Sequence, residues 1–383
     1  MARLRASVDA GWIRRNLGID YRRDASRRPA GLSVDVGKGA AATRAVQREL
    51  IDFDSESAQG EAFRALASAA PGGLDDFIAI KWPRGLAPTP GRRPRGESLP
   101  RADVLIVTWT MDEGHALSRV LTPGLDSRDD WKPYTKNYEA IAAEMRPGCP
   151  ARNYKRLGTY WTTVIGSRRV TLFKSDSHMS QDGPKLANAA VWQQIIEDCR
   201  PRWVITTGTG GGIGPRLEVG DVIVSRFVSF DCQRQFKTLN GQSYACTENP
   251  PLRRNASDLF SYNAKFLPTD NTRPPQIIKS TGASSGILTT DFFGFDNTDN
   301  TYGLQGKGDL SEMGDAVLGM VCAQLGARAP RYTIVRNVSD PQINSSGLTL
   351  AQQTTAAADI YKAYGRWSTI CSAIVCWAIA ATA

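Results

Sequence analysis

The chain has 383 residues, of which 41% are hydrophobic and 22% charged, with a formal net charge of +9. That composition is globular and excludes a disordered chain, while the length allows one large domain with an extension or two modest ones. The excess of cations makes phosphate-bearing partners electrostatically reasonable but says nothing about fold. The most apolar stretch, 370–380, is well short of the ~18 apolar residues a spanning helix needs. Residues 1–28 are broken by Arg pairs and lack an apolar core, so no signal peptide is expected and the cytoplasm is the expected location.

Residues 1–100 differ from the rest. Pairs such as Arg14-Arg15, Arg22-Arg23 and Arg27-Arg28 alternate with acids, and 40–70 reads as helix from the spacing of Val46, Leu50, Phe53, Phe63 and Leu66. The Pro- and Gly-rich 86–100, with Arg92, Arg93 and Arg95, reads as a linker closing an Arg-rich extension. Nucleic-acid binding through these arginines is the weaker reading, because no recognised motif accompanies them. The Gly37-Lys38-Gly39 triplet lacks the spacing and the following Ser/Thr of a P-loop.

From 101 to 383, short apolar strands alternate with helices. Strands are expected at 103–108, 161–165 and 170–174, the last two flanking a Gly166-Ser167 turn. Further strands are expected at 203–206, running into a glycine cluster at 208–212, and at 222–230 and 332–336. Helices are expected at 113–121, 187–199 and 312–325, the last with Met313, Ala316, Val317, Met320 and Val321 on one face. Such alternation predicts a three-layer α/β domain with a mixed central sheet flanked by helices.

The chemistry is narrowed by what is scarce. Seven Cys form no CxxC pair, which fits reduced thiols rather than a disulfide framework. His115 and His178 are the two histidines, neither in a zinc-binding spacing, and GxSxG is absent. Catalysis is therefore expected from carboxylates, with no metal or redox cofactor. Singly, the motifs are weak. The glycine cluster is either a tight turn or a cradle for phosphate or ribose, and it does not fit the dinucleotide fingerprint. Asp340 ends a strand, where α/β enzymes place catalytic groups, but precedes a proline, as turn-forming Asp residues do.

As a set they say more. Gly208-Thr209-Gly210-Gly211-Gly212 after a strand, Val219-Gly220-Asp221 opening the next, Thr290-Asp291-Phe292-Phe293, Glu312-Met313, and Arg336 with Ser339-Asp340 follow one another in order. This arrangement resembles the nucleoside phosphorylase/nucleosidase superfamily, and within it the methylthioadenosine/S-adenosylhomocysteine nucleosidase-like members, over about 101–383.

The resemblance implies a homo-oligomeric enzyme acting on a purine nucleoside or nucleotide. Asp340 would protonate the leaving purine, with Ser339 holding it, and Phe293 would stack on the base. Backbone from Phe292 to Gly294 would read the base edge. Thr209, Gly210 and Gly211 would lie near the ribose or nucleophile, and Met313 beneath the sugar. Glu113, after the first strand, would activate water, as in hydrolytic members. Its simpler role is a favourable charge in the first turn of a helix, and Asp112 competes for the catalytic one. Phosphorolysis, or nucleotide binding without turnover, are the other readings.

One departure stands out. The family reads Met-Glu where this chain reads Met313-Gly314, so the ribose-holding carboxylate is lost, moved to Asp315 or supplied by Glu312. Arg336, Arg216, Arg226, Arg234 and Lys185 are either scattered surface charge or contacts for a nucleotide's phosphates. His178 either reaches the sugar or phosphate or is a solvated loop residue. The expected reaction is release of free base, adenine in the leading reading. Superfamily members fused to extra segments act as nucleotide-depleting effectors in bacterial defence, which makes that role an analogy to weigh.

Overall fold

The computed structural model describes residues 8–20, 48–55, 57–58, 60, 80–260, 271–280, 282–293, 300, 302–343 and 347–383. Along the chain come α1 (Ala10–Leu17), β1 (Thr89–Pro90), β2 (Val104–Thr108), α2 (Met111–Leu121), β3 (Lys132–Tyr134), α3 (Tyr138–Ala142), α4 (Pro150–Tyr154), β4 (Gly158–Ile165) and β5 (Arg168–Ser175). They continue with α5 (Ala187–Cys199), β6 (Trp203–Gly212), β7 (Val222–Ser225), β8 (Phe227–Asp231), β9 (Ser243–Ala245), β10 (Ile277–Lys279), β11 (Ile287–Thr290), β12 (Leu310–Glu312), α6 (Asp315–Leu325), β13 (Arg331–Asp340) and α7 (Leu350–Ala380).

The strands form one mixed sheet that forks at β6. On one side β6 runs parallel to β13 from Trp203 to Gly211, and β13 pairs antiparallel with β7. On the other side β2 pairs with β6 only as far as Thr206, and β12 joins antiparallel at Gly211 and Gly212. Residues 207–210 of β6 therefore have a ladder partner on one side alone. The opening between the departing β2 and the arriving β12 is a switch point of the kind where α/β sheets bind ligands.

Alternation along β2 divides the core into layers. Val104 and Ile106 pack with Leu117 and Val120 of α2 and with α7, whereas Leu105 and Val107 pack with Val191 and Trp192 of α5 and with Ala316 and Val317 of α6. A strand buried on both faces reads as an unbroken apolar run, as β2 does. All seven cysteines are buried and free. No described helix is long and apolar enough to cross a membrane, and the apolar 370–380 is the buried end of α7.

Several expectations need correction. The glycine cluster is not a turn, because β6 continues through it to Gly212. The strand expected at 222–230 is broken at Arg226 into β7 and β8. The helix expected from Glu312 begins at Asp315, since Glu312 belongs to β12. Part of the Pro/Gly stretch is an edge strand, with Thr89 and Pro90 paired to β4. Of the helix expected at 40–70, residues 48–52 are helical, while 40–47, Phe63 and Leu66 lie outside the described residues, as do Arg22, Arg23, Arg27, Arg28 and Gly37 to Gly39.

Candidate active site

The fork opens into a cleft lined by residues of β6, β11, β12, β13 and α7 and by the start of α2. Glu113 lies at one end. Thr110 caps α2 and Glu113 occupies the third helical position, so the two form a reciprocal capping box. The carboxylate does more than cap. Its Oε2 accepts the Thr108 hydroxyl (2.9 Å) and the Trp109 and Thr110 N–H groups (3.0 and 2.9 Å), while Oε1 accepts the Thr209 N–H and hydroxyl, both at 2.7 Å.

These bonds explain the glycines of β6. A Cβ at Gly208 would come within 2.5 Å of the Glu113 carboxyl, and Gly208 has φ of +146°, so only glycine lets the carboxylate reach the strand. The cradle serves a protein carboxylate, with the Thr209 N–H committed to Glu113. Burial pushes the Glu113 carboxyl up, but the nearby Arg336 guanidinium and the Thr110 and Thr209 donors outweigh it and hold it below the usual range.

Arg336 lies beneath this group, in register with Gly208. Its fork grips both oxygens of Asp315 at 2.8 and 2.7 Å, its Nη1 donates to the Thr209 carbonyl at 3.2 Å, and Glu113 lies 3.9 Å away. Asp315 is fully buried under the fork and does not line the cleft. Glu312 does line the cleft. It accepts the Thr289 hydroxyl and the Asp315 N–H, and burial together with the Asp315 carboxylate pushes it up.

Asp340 occupies the other end. The β13–β6 register shifts between Val338 and Asp340, leaving Ser339 as the extra residue of a bulge. Bulges re-aim side chains, and this one presents both Ser339 and Asp340 to the cleft. The Ser339 hydroxyl donates to Asp340 Oδ1 at 2.6 Å. Burial lifts the Asp340 carboxyl to about 7 against that one opposing hydrogen bond.

Phe292 and Phe293 both line the cleft, Phe293 half-buried and Phe292 buried and stacked on Tyr302 at 5.3 Å. Gly294 lies outside the described residues. Met313, Gly210 and Gly211 line the wall between the two ends. His178 is buried in the cleft wall rather than solvated. Its Nδ1 accepts the Ser180 N–H at 3.2 Å, so the ring proton sits on Nε2, and burial lowers its pKa to about 4. Of the five basic residues considered from the sequence, only Arg336 lines the cleft. Lys185 pairs with Glu144, and Arg226 with Glu248.

Other lining residues escaped the sequence reading. Leu50 and Ile51, from the N-terminal hundred, close part of the mouth. Their segment is tied down by Glu49 to Lys362 (2.6 Å), Asp54 to Arg128 (2.8 Å) and the Ser55 N–H to Asp112 (2.9 Å). Asp112 thereby anchors the segment and does not line the cleft. His115 belongs to the same anchor, 2.7 Å from Asp126 and 3.4 Å from Asp54. Tyr361 lines the cleft from α7 and donates to the Thr110 hydroxyl at 2.8 Å. Trp109, an apolar residue just after β2, also lines it.

The described phosphorylase superfamily model matches residues 135–366. A 5'-methylthioadenosine/S-adenosylhomocysteine nucleosidase of Geobacillus kaustophilus is 27% identical over 176 residues, 45% of this chain and 69% of that protein. Among solved structures, the corresponding Helicobacter pylori nucleosidase matches with a TM-score of 0.44 at 12% identity, over 73% of this chain and 97% of that one. The H. pylori futalosine hydrolase matches with a TM-score of 0.45 at 13% identity, over 72% and 96%. With more than half of its length covered by the family model, the chain belongs to the phosphorylase superfamily.

Proposed function

We propose that the protein hydrolyses the N-glycosidic bond of a purine nucleoside, releasing the free base. The observation that carries this reading is the pairing of two buried carboxyls of opposite character in one cleft: Asp340, raised to about 7, and Glu113, held anionic. Breaking an N-glycosidic bond needs a proton for the leaving purine and stabilisation of an oxocarbenium-like sugar. Asp340 supplies the first and the Glu113 carboxylate the second. Water attacking such a cation becomes strongly acidic as its bond forms, so a weak base such as Glu113 suffices to take its proton. Phe293 holds the base, and the neutral His178 offers its Nε2–H to the sugar side.

Hydrolysis fits this cleft better than phosphorolysis. Arg336 is the one cation among its described lining residues, and its fork is bound to Asp315. The Thr209 N–H and hydroxyl are bound to Glu113. Among the described lining residues no unpaired cation is left for orthophosphate, and the same observation favours a nucleoside over AMP or ATP. A nucleotide-depleting role in defence would need those phosphates to be held elsewhere. The similar Geobacillus protein, named for methylthioadenosine and adenosylhomocysteine, supports an adenine nucleoside.

Chromatography of free base from adenosine, methylthioadenosine, adenosylhomocysteine, AMP and ATP, each with and without phosphate, tests the proposal. Adenine from the nucleosides at equal rates with and without phosphate is expected. Release that depends on phosphate would replace hydrolysis with phosphorolysis, and release from AMP or ATP alone would restore the nucleotide reading.

A further inference from the structure

Trp109 follows β2 directly and is 2% exposed, yet its indole Nε1–H has no hydrogen-bond partner. A buried donor without an acceptor is costly, so a polar partner supplied by a ligand would be recognised there. Three neighbours fix the ring. The Arg336 guanidinium lies 4.6 Å from a Trp109 ring centroid, and Trp192 packs edge-on at 6.0 Å. The third neighbour is Gly314.

A Cβ at Gly314 would lie 3.6 Å from Trp109 Cζ2 and 3.7 Å from Cε2. Cε2 is bonded to Nε1, so the donor-bearing edge of the indole is the one over residue 314. The φ of Gly314 is 179°, extended backbone open to any residue, so conformation does not demand glycine there. A Cβ there would sit in ordinary van der Waals contact with the indole, so residue 314 lies directly against its donor-bearing edge. Glu312 Oε2 lies 3.9 Å from the same point, and Trp109, Glu312 and Met313 line one wall of the cleft.

At the position where the family resemblance leads one to expect a ribose-holding carboxylate, this chain has removed an acceptor and brought in a donor. We propose that Trp109 is a specificity residue for the sugar, its Nε1–H donating to the 2′- or 3′-oxygen of the nucleoside while Glu312 accepts from the neighbouring hydroxyl. A donor at this place reads the sugar oxygen as an acceptor. It therefore requires the oxygen but not the hydrogen on it, and an O-methyl ether at that carbon can satisfy it. This proposal rests on the nucleoside reading and deepens it.

The experiment measures binding of adenosine, 2′-deoxyadenosine, 3′-deoxyadenosine and the two O-methyl ethers to the wild type and to Trp109→Phe, with base release followed in parallel. Phenylalanine keeps an aromatic ring near Arg336 and removes the N–H together with part of the indole's bulk. One deoxy analogue is expected to bind the wild type roughly 2- to 10-fold more weakly than adenosine, the range of one neutral hydrogen bond. That ratio should fall to about one in Trp109→Phe, and the ether at the same carbon should bind the wild type within a few-fold of adenosine. Because each ratio compares two ligands on one protein, a general loss of packing cancels. Equal weakening of all ligands in Trp109→Phe would overturn the proposal and leave Trp109 a packing residue. Unchanged ratios would overturn it too. A wild type that neither binds nor cleaves any nucleoside would overturn the nucleoside reading itself, a result distinct from either.

Discussion

The two ends of the cleft bury a carboxyl equally deeply and treat it in opposite ways. Glu113 accepts five hydrogen bonds and lies 3.9 Å from Arg336. Asp340 accepts one, from Ser339, and among the described residues no cation pairs with it. Burial alone raises both, and donors and cations then decide which stays charged. The fold supplies donors where β2 leaves the sheet and backbone N–H groups are unpaired, and withholds them at the bulge in β13. Which carboxyl stays charged is thus set by where the sheet forks, and the proposed acid and base roles follow from it.

The largest test of this contrast is Asp340→Asn, which keeps the shape but has no carboxylic proton to give. Turnover should fall about 10²- to 10⁴-fold with near-normal folding, measured as base released per enzyme. Normal turnover would remove Asp340 from the acid role. Glu113→Gln should cost about 10²-fold or more and also perturb the fold, because an amide NH₂ must face donors on either oxygen position. If this variant kept its rate, Glu113 would be a helix cap and no more.

A smaller but sharper effect lies in the pH profile. With Asp340 near 7, kcat/KM should be level below neutrality and fall about tenfold per pH unit above it. The Glu113 limb should lie below the ordinary carboxylate range, because its pKa is lowered. A profile that rises through pH 7 would reverse the two assignments.

How much of this was legible follows from which forces set each element. The apolar run of β2, the Ser/Thr-and-Glu spacing at the start of α2 and the period of α5 are local signals, and the structure places those elements within a few residues of expectation. The glycines of β6 carry a strong turn signal, yet they are strand. What requires Gly208 is the approach of Glu113 from another element, which no local pattern encodes. Asp315 and Glu312 are acids three residues apart that sequence could not tell apart, and the Arg336 fork holds Asp315 away from the cleft that Glu312 lines. Trp109 shows a related limit, because an apolar residue that lines a closed cleft is as buried as one in the core. Leu50 and Ile51 reach the mouth through contacts hundreds of residues away, such as Glu49 with Lys362.

The smallest predicted effect concerns stability, and its sign is what matters. In the unfolded chain Asp340 ionises near its ordinary value, whereas in the fold it resists until about 7. The native state therefore holds the extra proton between those values, and wild-type stability declines as pH rises through that window. Asparagine has no such decline, so Asp340→Asn should match the wild type near pH 4 and melt a few degrees higher at pH 8. Glu113 behaves inversely. Its lowered pKa contributes stability above the ordinary carboxylate value, which is lost as pH falls through the folded value. Glu113→Gln should therefore melt lower than the wild type at pH 8. Thermal melts of both amides at pH 4 and pH 8 check the pair. Shifts of the same sign at pH 8 would mean that the two ends of the cleft do not differ as their hydrogen bonds indicate.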